Sequence, residues 1–155
     1  MQKEYKINQV NPSKGALDFS YLLDAPAGKH GFVQAKNGHL YYEDGTRARF
    51  LGFNMATRSN AVNHELAEKL AGRFASLGVN VIRLHAADAP IGEQERSWSS
   101  CKEAPLLDYE KGTSRFFHPE GLDRFDYFVA KLKEKGIYIH IDLIVAREFL
   151  LGDEL

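Results

Sequence analysis

One unit occurs twice in this chain: an amphipathic helix, a glycine and a short apolar strand, with Gly78 and Gly136 in equivalent places 58 residues apart. In the first unit Leu66, Leu70, Phe74 and Leu77 form one stripe at helical spacing. Asn63 suits the N-cap, Glu65 the first turn, and Gly78 the position just past the C-cap. Residues 79–85 follow directly and read as a strand. The second unit starts at Pro119, a helix-opening proline preceded by His118. Its stripe is Leu122, Phe125, Val129 and Leu132, and residues 137–145 read as its buried strand. Strands separated by helices run parallel, because each helix returns the chain to the starting end of the sheet. The helices cover one face of such a sheet, so the other face must meet a second core or a barrel interior.

Ahead of these units, Asn37-Gly38 and Asp44-Gly45 are two-residue hairpin signals, since a type I′ turn needs positive φ at both central positions. They separate residues 32–36, 39–43 and 47–53 and predict a small antiparallel β-meander whose last run continues through Asn54 into the larger sheet. Residues 1–31 have no sustained period and contain Pro12, Gly15, Pro26, Gly28 and Gly31, which predicts an irregular lead-in along the surface. The expected organisation is this lead-in and, over residues 32–155, one α/β body of a meander, about three parallel strands and two helices. Residues 86–117 carry Pro90, Gly92, Pro105 and Gly112 and no period. A loop of that length inside a compact domain is usually functional or disordered.

Composition narrows the partners. Twenty Lys and Arg against 21 Asp and Glu give a net charge of −1, so there is no electrostatic case for nucleic acid or an anionic membrane. Cys101 is the sole cysteine, which excludes an intrachain disulfide and a paired-cysteine metal or redox site. No cofactor motif is present, and no GxGxxG opens either helix. The N-terminal Met1–Lys6 is polar, which predicts a cytoplasmic chain as written, with secretion or the periplasm implied only by a further N-terminal segment.

Strand alternation sorts the polar residues. Val81, Arg83 and His85 share one face while Ile82 and Leu84 share the other; Tyr138, His140 and Asp142 oppose Ile139, Ile141 and Leu143. With the apolar sets facing the helices, Asn54, Arg83, His85 and Asp142 converge on the remaining face, at the carboxyl ends of the strands where α/β sites form. Arg83 and Asp142 can form a structural ion pair or belong to a site, and His85 can be a satisfied core histidine. His140 with Asp142 could form half of a metal site, but no matching second pair is present, so no metal ligand is assigned. In the long segment Trp98, Tyr109, Phe116 and Phe117 can stack on sugars or pack the loop itself, and Asp88 and Glu93 read as solvated acids.

Taken in order, the segments Gly38-His39-Leu40, Asp44-Gly45, Arg49 to Asn54, Leu77 to His85, Leu122 to Asp126 and Lys135 to Leu143 resemble the entry hairpin, second strand, second helix and third strand of clan A glycoside hydrolases related to family 5. The resemblance covers about residues 31–149. It implies the N-terminal part of a (β/α)₈ TIM barrel that hydrolyses O-glycosidic bonds of a poly- or oligosaccharide by retaining double displacement. It implies that Arg83 orients the nucleophile carboxylate, with Asn54 and His85 lining the site; Asp142 and Trp98, from their own positions, join them as substrate-binding candidates. The family's acid/base and nucleophile glutamates lie on strands four and seven, whereas this sequence reaches strand three. A full barrel takes about 250 residues, and Glu148 and Glu154 lack the family context. The expectation is therefore a glycosidase fragment without its catalytic pair, inactive alone. Two alternatives stand beside it: a carbohydrate-binding or assembly piece that associates through open sheet edges, and a metal-dependent barrel hydrolase. Family 5 cellulases carry Asp-x-His at the end of strand three; here Asp142 is followed two residues on by Ile144.

Overall fold

The computed structural model describes residues 17–90 and 105–154, so Trp98, Glu93 and Cys101 lie outside the described residues. Two small sheets form. β1 (Val33–Lys36) and β2 (His39–Tyr42) make an antiparallel hairpin, with Lys36 opposite His39 and Val33 opposite Tyr42. The Asn37-Gly38 turn takes positive φ at both residues, as its sequence requires. β3 (Gly52–Ala56), β4 (Val81–His85) and β5 (Tyr138–Ile141) form a parallel sheet in that order. Helix α1 (His64–Ser76) links β3 to β4, and α2 (Pro119–Glu134) precedes β5. The chain is thus α/β, with the architecture expected from its two helix–glycine–strand units.

The local chemistry explains the element ends. The Asn63 side chain accepts from the Leu66 amide at the start of α1, and His118 caps α2 by accepting from the Gly121 amide, with Pro119 behind it. Gly78 and Gly136 both take left-handed φ, 74° and 80°, where a helix must reverse into a strand. Both also lie under the lead-in. A Cβ on Gly78 would sit 3.2 Å from Phe19, and one on Gly136 would sit 3.0 Å from the Ala25 nitrogen. The lead-in is fixed there by backbone bonds from the Phe19 amide to the Ser76 carbonyl and from the Ala27 amide to the Lys133 carbonyl.

The core lies between the parallel sheet and the two helices. Ala67, Ala71, Phe128, Leu132, Ile82 and Leu84 are each 0 % exposed, and Val79 and Ile137 close the layer. The alanines of α1 let α2 approach closely, and Phe128 fills the space this leaves. At the opposite, amino-terminal end of the sheet, Tyr42 stacks on Tyr138 at 5.5 Å and Phe50 meets both edge-on, so the hairpin closes that end with aromatic rings.

Three expectations change. The run 47–53 is not a third meander strand. One bridge joins Arg47 to Tyr41, and the parallel strand begins at Gly52, which leaves Asn54 in mid-strand rather than at its end. The reason is Asn80, whose side chain donates to the Arg49 carbonyl and accepts from the Leu51 amide, each at 2.8 Å, in place of a neighbouring strand. Secondly, residues 137–145 are not a buried strand. β5 ends at Ile141; Ile139 and Ile141 are exposed, and Leu143 is 80 % exposed, because α2 covers this strand only in part. Thirdly, Asp88 is not a solvated loop acid. It is buried and accepts from the Val145 and Ala146 amides at 3.0 and 3.2 Å, tying the segment after β4 to the segment after β5.

Candidate functional site

The sheet alternates as its sequence requires. Ile82 and Leu84 point into the helical layer, and Arg83 and His85 emerge on the other face. Register sets Asn54, Arg83 and His140 in one row across the three strands, with His85 one step nearer the carboxyl end, opposite Ala56. Asp142 follows β5, and its amide bonds to the Leu84 carbonyl at 3.3 Å, which places its side chain between Arg83 and His85.

These groups form one network. Arg83 Nη2 lies 2.6 Å from Asp142 Oδ2, and Arg83 Nε donates to Asp142 Oδ1 at 3.3 Å. Another guanidinium nitrogen of Arg83 donates to Asn54 Oδ1 at 3.2 Å. His85 Nδ1 meets Asp142 Oδ2 at 2.6 Å, so the other ring nitrogen is left to face the site. The Asp142 side chain is 13 % exposed, against 43 % for Arg83 and 33 % for His85. The carboxylate is the shielded hub, and the two bases are its accessible surface. The hydrogen bond to His85, then those from Arg83, hold the Asp142 carboxyl below the usual carboxylate range despite partial burial.

Asn54, Arg83, His85 and Asp142 thus come together as their strand positions imply. His140 stands at the margin, with Nε2 3.8 Å from Asp142 Oδ1 and 68 % of its side chain exposed. Asp142 already serves Arg83 and His85, and the guanidinium beside it opposes a dication. Among the described residues no group of three or more His, Cys, Asp or Glu is placed to hold a metal ion. Phe116 and Phe117 are exposed, while Tyr109 is half-buried and spends its hydroxyl on the Asp88 carbonyl at 2.7 Å.

The strand ends are held by residues that periodicity does not single out. Thr57 and Ala86, each one residue past the end of an adjacent strand, adopt left-handed φ of 52° and 50°. That conformation is costly for residues with a Cβ and is tolerated where the surroundings enforce it. Part of the enforcement is Asn60, 1 % exposed, which donates to the His85 carbonyl at 2.9 Å. Farther out, buried Asp153 accepts from Thr113 Oγ1 at 2.6 Å and from the Ser114 amide at 2.9 Å, and Arg147 donates to the Ser114 carbonyl at 2.7 Å. The Thr113 hydroxyl leads the interactions that hold the Asp153 carboxyl far below the usual range. Only the side-chain types, oxygen-rich and of turn-forming character, hint at such staples in the sequence.

No family model matches the chain, and no curated protein sequence matches it. Solved structures do. A protein described as a glycoside hydrolase superposes over 77% of this chain with a TM-score of 0.51 and 18% identity. A glycoside hydrolase family 5 protein from Bacteroides vulgatus ATCC 8482 superposes over 77% with a TM-score of 0.52 and 14% identity. In each case the match spans 26% of the solved chain, about a quarter of its length. Over that share of its length the chain therefore has the fold of part of a glycoside hydrolase family 5 barrel.

Proposed function

We propose that this chain supplies the first three strands of a carbohydrate-active barrel of retaining glycosidase type, and that Asn54, Arg83, His85 and Asp142 form its share of the sugar site. The observation that carries this reading is the Arg83–Asp142–His85 network at the carboxyl ends of β4 and β5. An arginine held by a shielded carboxylate and an asparagine presents fixed N–H donors. Such donors can bind a sugar hydroxyl or hold a second carboxylate in place. The network contains one carboxylate, and that one is already engaged by Arg83 and His85. Retaining hydrolysis needs two carboxyl groups about 5–5.5 Å apart, one to donate a proton and one to attack. In this reading the acid/base and the nucleophile belong to later strands of the whole barrel, and Arg83 orients the nucleophile.

The test has two arms. Titration with neutral β-linked oligosaccharides, followed by NMR, should perturb the signals of Asn54, Arg83 and His85. Arg83→Ala should weaken binding about tenfold, the scale of a lost hydrogen bond to a charged donor. An aryl glycoside should not turn over. Turnover by the purified chain that disappears in Arg83→Ala would overturn the assignment of the catalytic pair to other strands. Oligosaccharide binding that ignores Arg83→Ala would overturn the site itself.

A second reading, as an assembly piece, is favoured by β5. Ile139, Ile141, Leu143 and Ile144 are all exposed beside an outer strand whose far edge pairs with no described strand. In this reading that side takes the neighbouring strand of a completed barrel, and the isolated chain self-associates there.

A further inference from the structure

The outward face of the hairpin carries a concentration of positive charge that the proposed sugar site does not use. A concavity of about 460 Å³ there is lined by Lys36, His39, Arg47 and Arg49 together with the Asn37-Gly38 turn. Register explains the clustering. Lys36 and His39 are directly opposed across the hairpin, the Arg47 segment bridges to Tyr41, two residues past His39, and Arg49 lies two residues beyond Arg47. Tyr42 and Phe50 alternate with these positions and turn inward onto Tyr138. The cations therefore share the face directed away from the aromatic seal, at the end of the sheet opposite Arg83.

No carboxylate among the described residues pairs with Lys36, Arg47 or Arg49. The two nearest hairpin acids are committed elsewhere: Asp44 bonds to His30 and to the Thr46 amide, and the Glu43 side chain lies where a Cβ on Gly31 would fall. Arg47 instead donates to His39 Nδ1 at 2.8 Å. A guanidinium can only donate, so this imidazole nitrogen must be the unprotonated acceptor. The arrangement draws two bases together without an anion between them. It ties one guanidinium nitrogen of Arg47, a residue that lines the concavity, and Arg47 makes no ion pair with a described carboxylate. In a chain whose total charge is close to neutral, such a local excess attracts anions over roughly one Debye length, about 10 Å at moderate salt.

We propose that this concavity is a binding site for an oxyanion, the chemistry shared by a sulfated or carboxylated sugar and by free phosphate, with Arg47 as its principal donor and Lys36 and Arg49 flanking it. Calorimetric titration of the purified chain with inorganic phosphate, a sulfated oligosaccharide and an oligogalacturonate should give saturable binding to at least one of them. If the sugars bind more tightly than phosphate, the natural ligand is an acidic glycan; if phosphate binds as well as either, the site takes the free anion. Arg47→Ala should weaken binding at least about fivefold, Arg47→Lys should retain more of it, and raising salt from about 50 to about 200 mM should weaken it. Lys133→Ala, a charge change away from the concavity, should leave it unchanged. Near-ultraviolet circular dichroism of the aromatic cluster reports whether each variant keeps the fold. Absence of saturable binding to all three probes, or equal affinity in a folded Arg47→Ala, would overturn the proposal. Neither outcome touches the sugar site, which is tested with neutral oligosaccharides and Arg83.

Discussion

Asp142 illustrates how one carboxylate can be partly buried and still ionised. Arg83 reaches both of its oxygens and His85 shares Oδ2, and the hydrogen bond to His85, then those from Arg83, hold its pKa down. A depressed carboxylate contributes stability above its unfolded pKa, about 3.9, and loses it as pH falls through the folded value. Asp142→Asn should therefore lower Tm at neutral pH, and the gap to the unaltered chain should close below about pH 4, when its own Asp142 protonates. Thermal scans across pH check this. His30 behaves with the opposite sign. Its two ring nitrogens bond to Asp24 and Asp44, which joins the lead-in to the hairpin, while Lys29 pairs with Asp24 and the Tyr42 ring lies tilted against the imidazole at 5.6 Å. Hydrogen bonding to Asp24, then to Asp44, raises the His30 pKa; Lys29, then His30, lowers that of Asp24, and the Thr46 amide leads in lowering that of Asp44. The imidazolium contributes fully below about pH 6.5 and is lost as pH rises through the raised value; the carboxylates contribute above about pH 3.9 and are lost as pH falls. The Tm penalty of His30→Ala should thus be greatest between about pH 4 and about pH 6.5 and shrink on either side. A penalty that grew above neutrality would refute the pairing.

At the scale of elements, the helices and β4 were legible because their periods are strong and their caps conventional. The boundary between hairpin and sheet was not, since it depends on Asn80, 29 residues along the chain from Leu51. No local pattern near residues 47–53 announces a side chain that substitutes for a strand. Asn80→Ala leaves the Arg49 carbonyl and the Leu51 amide without these partners. It should cost about 1–3 kcal/mol in denaturant unfolding, with hydrogen exchange speeding up first at Leu51. Asn80→Asp should recover the bond from Leu51 but not the donation to Arg49. The loop staples were hidden for a similar reason. Asp88 and Asp153 resemble surface acids in sequence, and become buried acceptors only when distant amides reach them.

At the scale of the molecule, the sheet has one well-covered face and an uncovered outer strand. None of the described helices is long and apolar enough to cross a membrane. The apolar side chains beside β5 are exposed to a degree that an ordinary surface avoids in a contiguous patch. If that side takes a neighbouring strand, the isolated chain should sediment as a concentration-dependent oligomer. Ile141→Lys with Leu143→Lys should shift it toward monomer without lowering Tm, since both residues are exposed already. A concentration-independent monomer in the unaltered chain would remove the assembly reading. The sequence by itself determined the parallel βα architecture and the convergence of Asn54, Arg83, His85 and Asp142, because period-two alternation fixes faces without reference to distant residues. Only the tertiary structure decided how those groups pair, where β3 begins, which loop acids are buried, and that residues 137–145 are largely uncovered. Each of those depends on what a residue meets across the fold, and neither periodicity nor composition carries that information.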